Sequence, residues 1–470
     1  MMKKLLFIFG LLLVSVFSHA QTPDFSLMGF AAMNGGTTGG LGGEIVTPAT
    51  FDELNAYCTA TQPYIILIDR EFTGSNPDAS NPGAPVRRVI KMASNKTLLG
   101  VGSSGFINQI SIVINSQHNI ILRNIKFTMK DVPVDLSGSE VKILGTNSDP
   151  DILSISADLS SIPEAERMTR NIWIDHCEFY NEDPAVMTDA DRYDGLIDIK
   201  NDCQYITISW CYFHDHHKGC LSGSGNSDNY DRKTTMHHNY FDNISSRIPL
   251  QRYGKLHLLN NYIVNCENGL NVRIQSEAVA ERNYFKDTKK PIFGKVSEGG
   301  TATELDNYFE NCNRLSWVHI PSATSPDADA LNESEEYNAN EYAVPYAYGA
   351  FVTEVADVPE IVTTWAGVGK INSDPTALTP PPGGRLNSIT FAPNAVTDEL
   401  VISLQANTDF SSEITIADMK GNTVLRKKEW VHSGRNEFRF DLRPFSTGIY
   451  VCRVHTGKEV IVEKIFKIDN

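Results

Sequence analysis

After its first twenty residues the sequence has no apolar run that approaches the roughly 18 residues needed to cross a membrane as a helix. Positive charge is also scarce, because 41 Lys and Arg stand against 57 Asp and Glu, for a formal net charge of -16. This balance argues against nucleic acid as the main partner, since phosphate binding needs basic side chains. It would also repel an anionic substrate, unless positive charge is concentrated locally or a cation intervenes.

Cysteine is rare, with 8 residues in a chain of 470, which excludes a small scaffold held together mainly by disulfides. The count is even, so disulfides are possible in an exported protein, and the sequence does not determine their pairing. Residues 1–20 place two lysines before an apolar stretch and end in small residues. This pattern predicts a secretory signal peptide, with the mature chain beginning at Gln21.

The middle of the chain repeats a short pattern, in which a strand-like run leads to one fixed position and then to an aromatic or aliphatic residue. Copies include WIDHCEFY, MHHNYFDN and LLNNYIVN. The fixed position is held by Asn124, Cys177, Cys211, Asn239, Asn261, Asn283 and Asn307. The last four lie 22, 22 and 24 residues apart. A period in this range predicts a solenoid, and its short strands favour a parallel β-helix over helical repeats.

The repeated asparagines are expected to hydrogen-bond to one another along the solenoid. The aromatic residues that follow the fixed position are expected to form an interior stack, through Phe179, Phe213, Tyr240, Tyr262 and Tyr284. Cys177 and Cys211 occupy adjacent rungs in this alignment. They could be joined by a disulfide or simply stacked.

The composition changes at residues 372–388, NSDPTALTPPPGGRLNS, which are rich in proline, glycine and polar residues. Such a segment is typical of a linker. The short alternating strands that follow predict a small β-sandwich. We therefore divide the chain into a signal peptide at 1–20, a β-helix domain at 21–372, a linker at 373–388 and a C-terminal domain at 389–470.

Two motifs resemble known binding sites, a phosphate-binding loop and a zinc site, but their surrounding residues argue against both. The glycine-rich residues 34–44 have no following Lys-Ser or Lys-Thr pair, so a tight-turning first coil is favoured over a phosphate-binding loop. His214, His216 and His217 suggest a zinc site. Alternation along a strand would send neighbouring histidines to opposite faces, and no nearby His or Cys completes a four-ligand spacing. A polar coil edge is the favoured interpretation.

Paired carboxylates are more informative. Asp149 and Asp151 are two positions apart, and Asp194 and Asp198 share this even spacing, so each pair can lie on one side of an extended segment. If the two segments occupy neighbouring coils, four carboxylates converge and repel one another. A hard cation with an all-oxygen shell, meaning calcium, would relieve that repulsion. The alternative is a set of solvated acidic residues at strand edges.

Five basic residues fall on successive coils, where residues about one period apart lie side by side: Lys200, Lys218, Arg247, Arg252 and Arg273. A stripe of positive groups beside a calcium site would suit a chain of uronic acids. The alternative is scattered surface charge.

At these residues the sequence resembles the pectate lyases of polysaccharide lyase family 1. The resemblance runs through most of residues 28–370, with the motifs TLLGVG, NIWIDH, DGLIDIK, HHKGCLSG, RIPLQRYGKLHLLNNY and GLNVR. It implies an all-β fold, a right-handed parallel β-helix followed here by the small C-terminal sandwich. It also implies cleavage of de-esterified pectin by β-elimination, which gives 4,5-unsaturated oligogalacturonides.

The resemblance also implies roles for individual residues. Arg247 corresponds to the residue that removes the proton from C5 of galacturonate. Lys218 and Arg252 correspond to residues that bind substrate carboxylates and stabilise developing charge, and Lys200 and Arg273 to further substrate-binding positions. The implied calcium ligands are Asp149, Asp151, Asp194 and Asp198. Asp194 stands where the family often has glutamate, and since both residues supply oxygen we expect calcium binding to be retained.

The last eighty residues resemble the C-terminal sorting domain of type IX secretion, in FAPNAVTDELVISL, MKGNTVL, STGIYVCRV and EKIFKI. FAPNA departs from the family's usual aromatic residue followed by Pro-Asn-Pro. The resemblance implies export by the type IX secretion machinery, to the medium or the cell surface. A carbohydrate-binding module is the alternative for this domain.

Together these patterns predict a monomeric, calcium-dependent pectate lyase that acts on polygalacturonate or pectin, with no transmembrane segment. One alternative is a pectin lyase for methylated chains, but such enzymes do without calcium and the four aspartates count against it. Another is a β-helix that only binds acidic glycans at the cell surface. A glycoside hydrolase on the same fold would need an acid and a second carboxylate flanking the bond, and its product would carry no double bond.

Overall fold

The computed structural model describes residues 23–74, 88–138, 141–312, 337–371, 386–392, 395–406, 409–418, 422–432, 434–455 and 460–468. The chain divides into two compact units, Met1–Ile371 and Asn372–Asn470, and each is described by itself. The predicted signal peptide at 1–20 and most of the predicted linker, up to residue 385, lie outside the described residues.

Three parallel β-sheets form the first unit. Sheet A contains Glu44–Val46, Tyr64–Ile68, Lys96–Gly100, His118–Arg123, Thr169–Asp175, Cys203–Ser209, Lys233–His237, Lys255–Leu259, Glu277–Glu281 and Thr301–Leu305. Sheet B contains Glu71–Thr73, Phe106–Asn108, Lys126–Thr128, Glu178–Tyr180, Tyr212–Lys218, Tyr240–Ser246, Tyr262–Val264, Tyr284–Lys286 and Tyr308–Glu310. Sheet C contains Val89–Lys91, Ser111–Asn115, Leu153–Ser156, Ile197–Ile199, Cys220–Ser222, Leu250–Arg252, Asn268–Arg273 and Lys290–Gly294.

The chain visits sheets A, B and C in turn and then returns to A, so each circuit lays one coil against the previous one. Neighbouring strands pair in parallel, as Thr169–Asp175 does with Cys203–Ser209 in sheet A. Isoleucine, leucine and phenylalanine side chains from all three sheets fill the space inside the coils. The predicted parallel β-helix is confirmed.

Short elements complete this unit. The helix Phe51–Thr59 is capped by Thr50, whose hydroxyl accepts a hydrogen bond from the Glu53 N–H. The remaining short elements are the helix Val358–Trp365, the 3-10 turns Phe30–Ala32, Val296–Glu298, Gly349–Phe351 and Val355–Asp357, and the paired strands Val134–Asp135 and Lys142–Ile143. No helix in the described residues is long and apolar enough to cross a bilayer.

The predicted asparagine ladder is confirmed at the turn between sheets A and B. The side-chain amide of Asn239 donates to the Oδ1 atom of Asn261 at 2.9 Å, and the same bond links Asn261 to Asn283 and Asn283 to Asn307. Each of the four side chains is fully buried. Because an unpaired buried amide would cost about 1–3 kcal/mol, the ladder favours one register between coils.

Cys177 and Cys211 continue this ladder as free thiols rather than as a disulfide. Each thiol is buried and donates to a main-chain carbonyl two residues earlier in the chain. The sequence left bonded and stacked cysteines as alternatives, and the structure shows the stacked arrangement.

The expectation for the aromatic stack is wrong in part. Phe179 and Phe213 do stack inside the coils, with ring centroids 5.1 Å apart, and Phe241 continues the stack at 4.7 Å. Tyr240 and the equivalent tyrosines of later coils, Tyr262 and Tyr284, instead lie on the outside. They directly follow the inward-facing asparagine, and alternation along a strand turns the next residue outward. The helix Val358–Trp365 packs against these three tyrosines.

The second unit is a two-sheet sandwich. One sheet contains Leu386–Ala392, Glu399–Ala406 and Gly434–Asp441, and the other contains Ala395–Val396, Val460–Lys467, Gly448–His455, Phe410–Asp418 and Thr423–Val431. Ile402 and Phe440 of the first sheet share a buried core with Ile414 and Val454 of the second. The predicted β-sandwich is confirmed.

Three histidines in or next to sheet A are buried in neutral form. Burial lowers the pKa of His238 to about 3. Burial likewise lowers the pKa of His257, and burial together with the neighbouring His238 lowers that of His237. His257 contacts the Tyr346 hydroxyl through Nδ1 at 2.8 Å, and His238 contacts the Thr353 hydroxyl at 2.9 Å. These contacts tie residues 346–353 to the sheet.

The free energy of unfolding is expected to fall as the pH drops below about 6.5. The unfolded chain takes up protons on these histidines there, whereas the folded chain does not, and each histidine contributes up to about 1.4 kcal/mol per pH unit. Thermal unfolding followed by circular dichroism from about pH 7.5 to about pH 4.5 measures the slope. The slope should be shallower for His257→Gln and unchanged for His432→Gln, whose side chain is 71% exposed. Equal slopes for wild type and His257→Gln would contradict this account.

Candidate active site

Two consecutive coils carry the four aspartates. Asp198 lies in the strand Ile197–Ile199, with Ile197 and Ile199 buried in the core, so alternation turns Asp198 to the outer face. Its Cα is in register with that of Ser154, three residues after Asp151. Asp149, Asp151 and Asp194 each offer a carboxylate oxygen within 4.8 Å of the other two. Three of the four aspartates therefore converge in one group, as their even spacing predicted, and Asp198 lies beside this group.

The deepest two carboxylates are not fully paired. Asp151 and Asp198 are only 2% and 0% exposed, yet their Oδ1 atoms have no hydrogen-bond partner. Burial and then repulsion by Asp198 raise the pKa of Asp151 well above its usual value. Burial also raises the pKa of Asp198. Buried oxygens without donors, supplied only by carboxylates, are the ligand set that a hard divalent cation prefers.

Lys200 lies directly against this pair. Its ammonium is 2.9 Å from Asp198 Oδ2 and 3.5 Å from Asp151 Oδ2. Burial alone would lower the pKa of Lys200, but attraction to these two carboxylates raises it above its ordinary value. This one ammonium offsets only part of the negative charge of Asp151 and Asp198.

Lys218 and Arg247 approach the cluster from the next two coils. Lys218 Nζ is 3.6 Å from Asp194 Oδ1, and Arg247 Nη1 is 3.7 Å from the same oxygen. Arg247 follows the strand Tyr240–Ser246 in a left-handed conformation, with φ of 67°, as many residues that end strands in this β-helix do. Gly219 permits this turn, because a Cβ there would lie 2.6 Å from the Arg247 carbonyl oxygen.

A cavity of about 450 Å³ joins these groups. Its charged lining combines carboxylates with three of the five predicted cations: Asp149, Asp191, Asp194, Asp198, Lys200, Lys218 and Arg247. Val141, Pro150, Leu221 and Ser224 complete the wall. Opposite charges therefore share one cleft, as the sequence predicted.

Arg252 and Arg273 are adjacent to each other but do not line this cavity. They are in register on neighbouring strands of sheet C. Arg252 donates from Nη1 to the Gly223 carbonyl at 2.7 Å, and burial followed by repulsion from Arg273 lowers its pKa. Arg273 makes a bidentate pair with Glu298, at 2.7 and 2.6 Å.

Three of the predicted site residues form ion pairs with residues that the sequence analysis did not identify. Asp191 pairs with Lys218 at 2.7 Å, Lys142 with Asp149 at 2.5 Å, and Glu298 with Arg273. Asp191 could have been found, since it belongs to the acidic segment 189–198 that also holds two predicted ligands. Nothing in the sequence marks Lys142 or Glu298, which come from a hairpin and a turn that no repeat predicts.

The three clustered histidines have separate partners. His214 contacts Glu178 and Asp215, whereas His216 and His217 bond through Nε2 to the carbonyls of Asp194 and Met187. The favoured non-zinc interpretation agrees with this geometry. His216 and His217 thereby hold residues 187–194, which is a role that the sequence did not indicate.

Residues 2–371 match the pectate lyase family model. The chain belongs to the pectate lyase family. Residues 390–468 match the model of the secretion system C-terminal sorting domain. Both resemblances found in the sequence are confirmed, and the first unit is the lyase.

Individual relatives agree with this assignment. A pectate trisaccharide-lyase from Bacillus licheniformis is 37% identical over 354 residues, covering 74% of this chain and 88% of the relative. Pectate lyase A from Emericella nidulans is 30% identical over 69% of this chain and 88% of its own. The crystal structure of a pectate lyase from Bacillus sp. N165 in complex with trigalacturonate has a TM-score of 0.57 and 27% identity, over 74% of this chain and 100% of that chain.

Gly195→Ala is expected to lower pectate lyase activity about tenfold or more, because small displacements of a catalytic site are costly. A Cβ at Gly195 would lie 2.0 Å from Asp198 Oδ1, so the carboxylate must move. Gly225→Ala is the matched control, since a Cβ there meets nothing within 4 Å. Product formation by both purified variants, with melting temperatures, tests this. Full activity of a folded Gly195→Ala variant would show that the position of Asp198 is unimportant.

Proposed function

We propose that this lyase cleaves α-1,4-linked galacturonan by calcium-dependent β-elimination and releases 4,5-unsaturated oligogalacturonides. One observation carries the proposal. The Asp194 carboxylate lies within 4 Å of both Lys218 and Arg247 and also belongs to the group of three aspartates. The aspartates would hold a cation, and this cation would face the same substrate carboxylate as the side chains of Lys218 and Arg247.

Calcium fits the residues present. The proposed ligands supply only carboxylate oxygens, and they are Asp149, Asp151, Asp194 and Asp198. The Oδ1 atoms of Asp151 and Asp198 are buried and have no hydrogen-bond partner. When bound, calcium would withdraw electron density from the substrate carboxylate and so acidify the neighbouring C5 proton. Relatives named pectate lyases and a solved complex with trigalacturonate support galacturonan as the substrate.

The side chains of this chain perform the elimination in our proposal. Arg247 takes the proton from C5, the C–H electrons form the double bond between C4 and C5, and the bond from C4 to the leaving oxygen breaks. The leaving oxygen takes a proton from solvent and Arg247 returns its proton to solvent, so the net reaction consumes no water. Lys218 and Arg252 stabilise the charge that develops on the carboxylate beside C5, and Lys200 and Arg273 bind other uronate groups.

Arginine is normally protonated, and only its neutral form can accept a proton. We therefore expect the rate of cleavage to rise toward alkaline pH.

Arg247→Ala is expected to lower kcat by about 10²- to 10⁴-fold, the usual contribution of a general base. The ultraviolet absorbance of the unsaturated product, formed from polygalacturonate, measures this. Arg70→Ala is the control, since that side chain is 48% exposed and pairs with its neighbour Asp69. Absorbance from methylated pectin alone would identify a pectin lyase. Binding of both polymers without absorbance would identify a non-catalytic glycan-binding protein.

Removal of calcium with a chelator is expected to abolish product formation, and added calcium should restore it. Asp151→Asn removes one buried ligand charge and should weaken calcium binding at least about tenfold. Titration calorimetry with calcium alone measures binding without relying on activity. Glu164→Gln is the control, because that side chain is 85% exposed. Equal calcium affinity in wild type and Asp151→Asn would exclude this site as the calcium site.

We also propose that the C-terminal unit directs export by type IX secretion, to the cell surface or the medium. The match of residues 390–468 to the sorting-domain model supports this. Comparing where the chain accumulates with and without these residues in a host with that secretion system tests it. Unchanged export of the shortened chain would contradict the proposal.

A further inference from the structure

A fully buried ion pair lies behind the candidate active site. Arg232 is 0% exposed and Asp228 is 4% exposed, and Arg232 Nη1 is 2.5 Å from Asp228 Oδ1. Both belong to the segment between the strands Cys220–Ser222 and Lys233–His237. Removing two charges from water is costly, and apolar residues of similar size often stabilise a fold equally well. The other contacts of the pair therefore indicate what it does.

One set of contacts fixes the backbone next to Lys200. The N–H of Asn201 donates to both carboxylate oxygens of Asp228, at 3.1 Å each, and the Asn201 carbonyl accepts from Arg232 Nη1 at 3.1 Å. Both main-chain polar groups of Asn201 are thus held by this one pair. Asn201 has a φ of 63°, so it ends the strand in a left-handed turn directly after Lys200.

A second set fixes the backbone of Arg252, on another coil. Arg232 Nη2 donates to the Arg252 carbonyl at 2.7 Å. In return, Arg252 Nη1 donates to the carbonyl of Gly223, the first residue of the segment. Gly223 has a φ of 92°, and a Cβ there would lie 2.5 Å from Arg232 Nη2. The segment and Arg252 are therefore fitted closely to each other.

The pair also holds the cavity wall. Ser224, which lines the cavity, donates to Asp228 Oδ2 from its N–H at 2.8 Å and from its hydroxyl at 3.1 Å. The pair Arg123–Asp175, in which Arg123 is half-buried and Asp175 is buried, differs in this respect. Asp175 also bonds Ser209 and His176, and none of these residues lines the cavity.

We infer that Arg232 and Asp228 are positioning residues, which fix Lys200 and Arg252 at the spacing needed to bind two carboxylates of an acidic glycan. The inference rests on the proposed function, because it assigns substrate binding to those two cations. The guanidinium reaches acceptors on Asp228, Asn201 and Arg252 together. A lysine at this position keeps the charge but lacks the planar fork of donors.

Arg232→Lys is therefore expected to lower kcat/KM on polygalacturonate by about tenfold or more, because Lys200 and Arg252 lose their fixed positions. KM should rise through weaker substrate binding, and kcat should fall because Arg252 is proposed to stabilise the developing charge. Arg123→Lys is the control, since it alters another Arg–Asp pair, with a buried aspartate, away from the cavity. It should leave kcat/KM within about twofold of wild type even if the melting temperature falls. A purely structural role for Arg232 would give the two variants the same kinetics.

A second variant covers the possibility that a lone buried charge prevents folding. Arg232→Met combined with Asp228→Leu removes both charges, so no unpaired charge stays buried. It should fold, with near-wild-type circular dichroism, and still show the raised KM. Values of kcat and KM within about twofold of wild type in this folded double variant would overturn the inference.

Binding of trigalacturonate, measured by calorimetry on the full chain, separates this inference from the proposed function. A wild type that yields no ultraviolet-absorbing product contradicts the proposed lyase chemistry, whatever the variants do. If wild type binds the trimer and both Arg232 variants bind it about tenfold more weakly, the positioning role is supported independently of catalysis. Equal binding by wild type and the double variant would exclude it.

Discussion

The rest of the structure depends on parallel backbone pairing between consecutive coils, in a register that the buried asparagines help to fix. The side-chain amides of Asn239, Asn261 and Asn283 each donate to the equivalent asparagine of the next coil and also to a main-chain carbonyl. A slip by one residue would leave buried amides unpaired and would turn core side chains outward. Because the register is fixed, the stacking of coils alone brings residues that are far apart in sequence into contact. Asp198 thus lies beside the segment of Asp151, and Arg252 lies beside Arg273.

The β-helix and the sandwich could be predicted from the sequence because both are built from local patterns that recur. The convergence of Asp149, Asp151 and Asp194 with Lys218 and Arg247 could be predicted for the same reason, since one period along the chain is one step along the solenoid. The orientation of the tyrosines was predicted wrongly, because each tyrosine directly follows an inward-facing asparagine and therefore faces outward. The repeat pattern alone does not show which of these two neighbouring positions faces the core.

The partners of the site residues could not be predicted. Lys142, Asp191 and Glu298 lie in connecting segments, whose conformation follows from contacts rather than from periodicity. The buried pair Arg232–Asp228 is likewise invisible to spacing. Lys142, Asp191 and Glu298 each form a close ion pair with one residue of the predicted site. Positive and negative side chains therefore lie side by side there, and their pairing depends on local geometry rather than on the net charge of the chain.

The uneven spacing of the ladder has an evolutionary consequence. The rungs at Asn261, Asn283 and Asn307 follow one another at 22 and 24 residues, but Cys177 lies 53 residues after Asn124 and 34 before Cys211. The additional length includes the segments that carry Lys142, Asp149 and Asp191. Since doubling the length of a loop costs only about 0.6 kcal/mol in closure entropy, the connections around the cavity can lengthen or shorten while the stacked core stays unchanged. The architecture therefore allows the connections around the cavity to differ in length without altering the core that supports them.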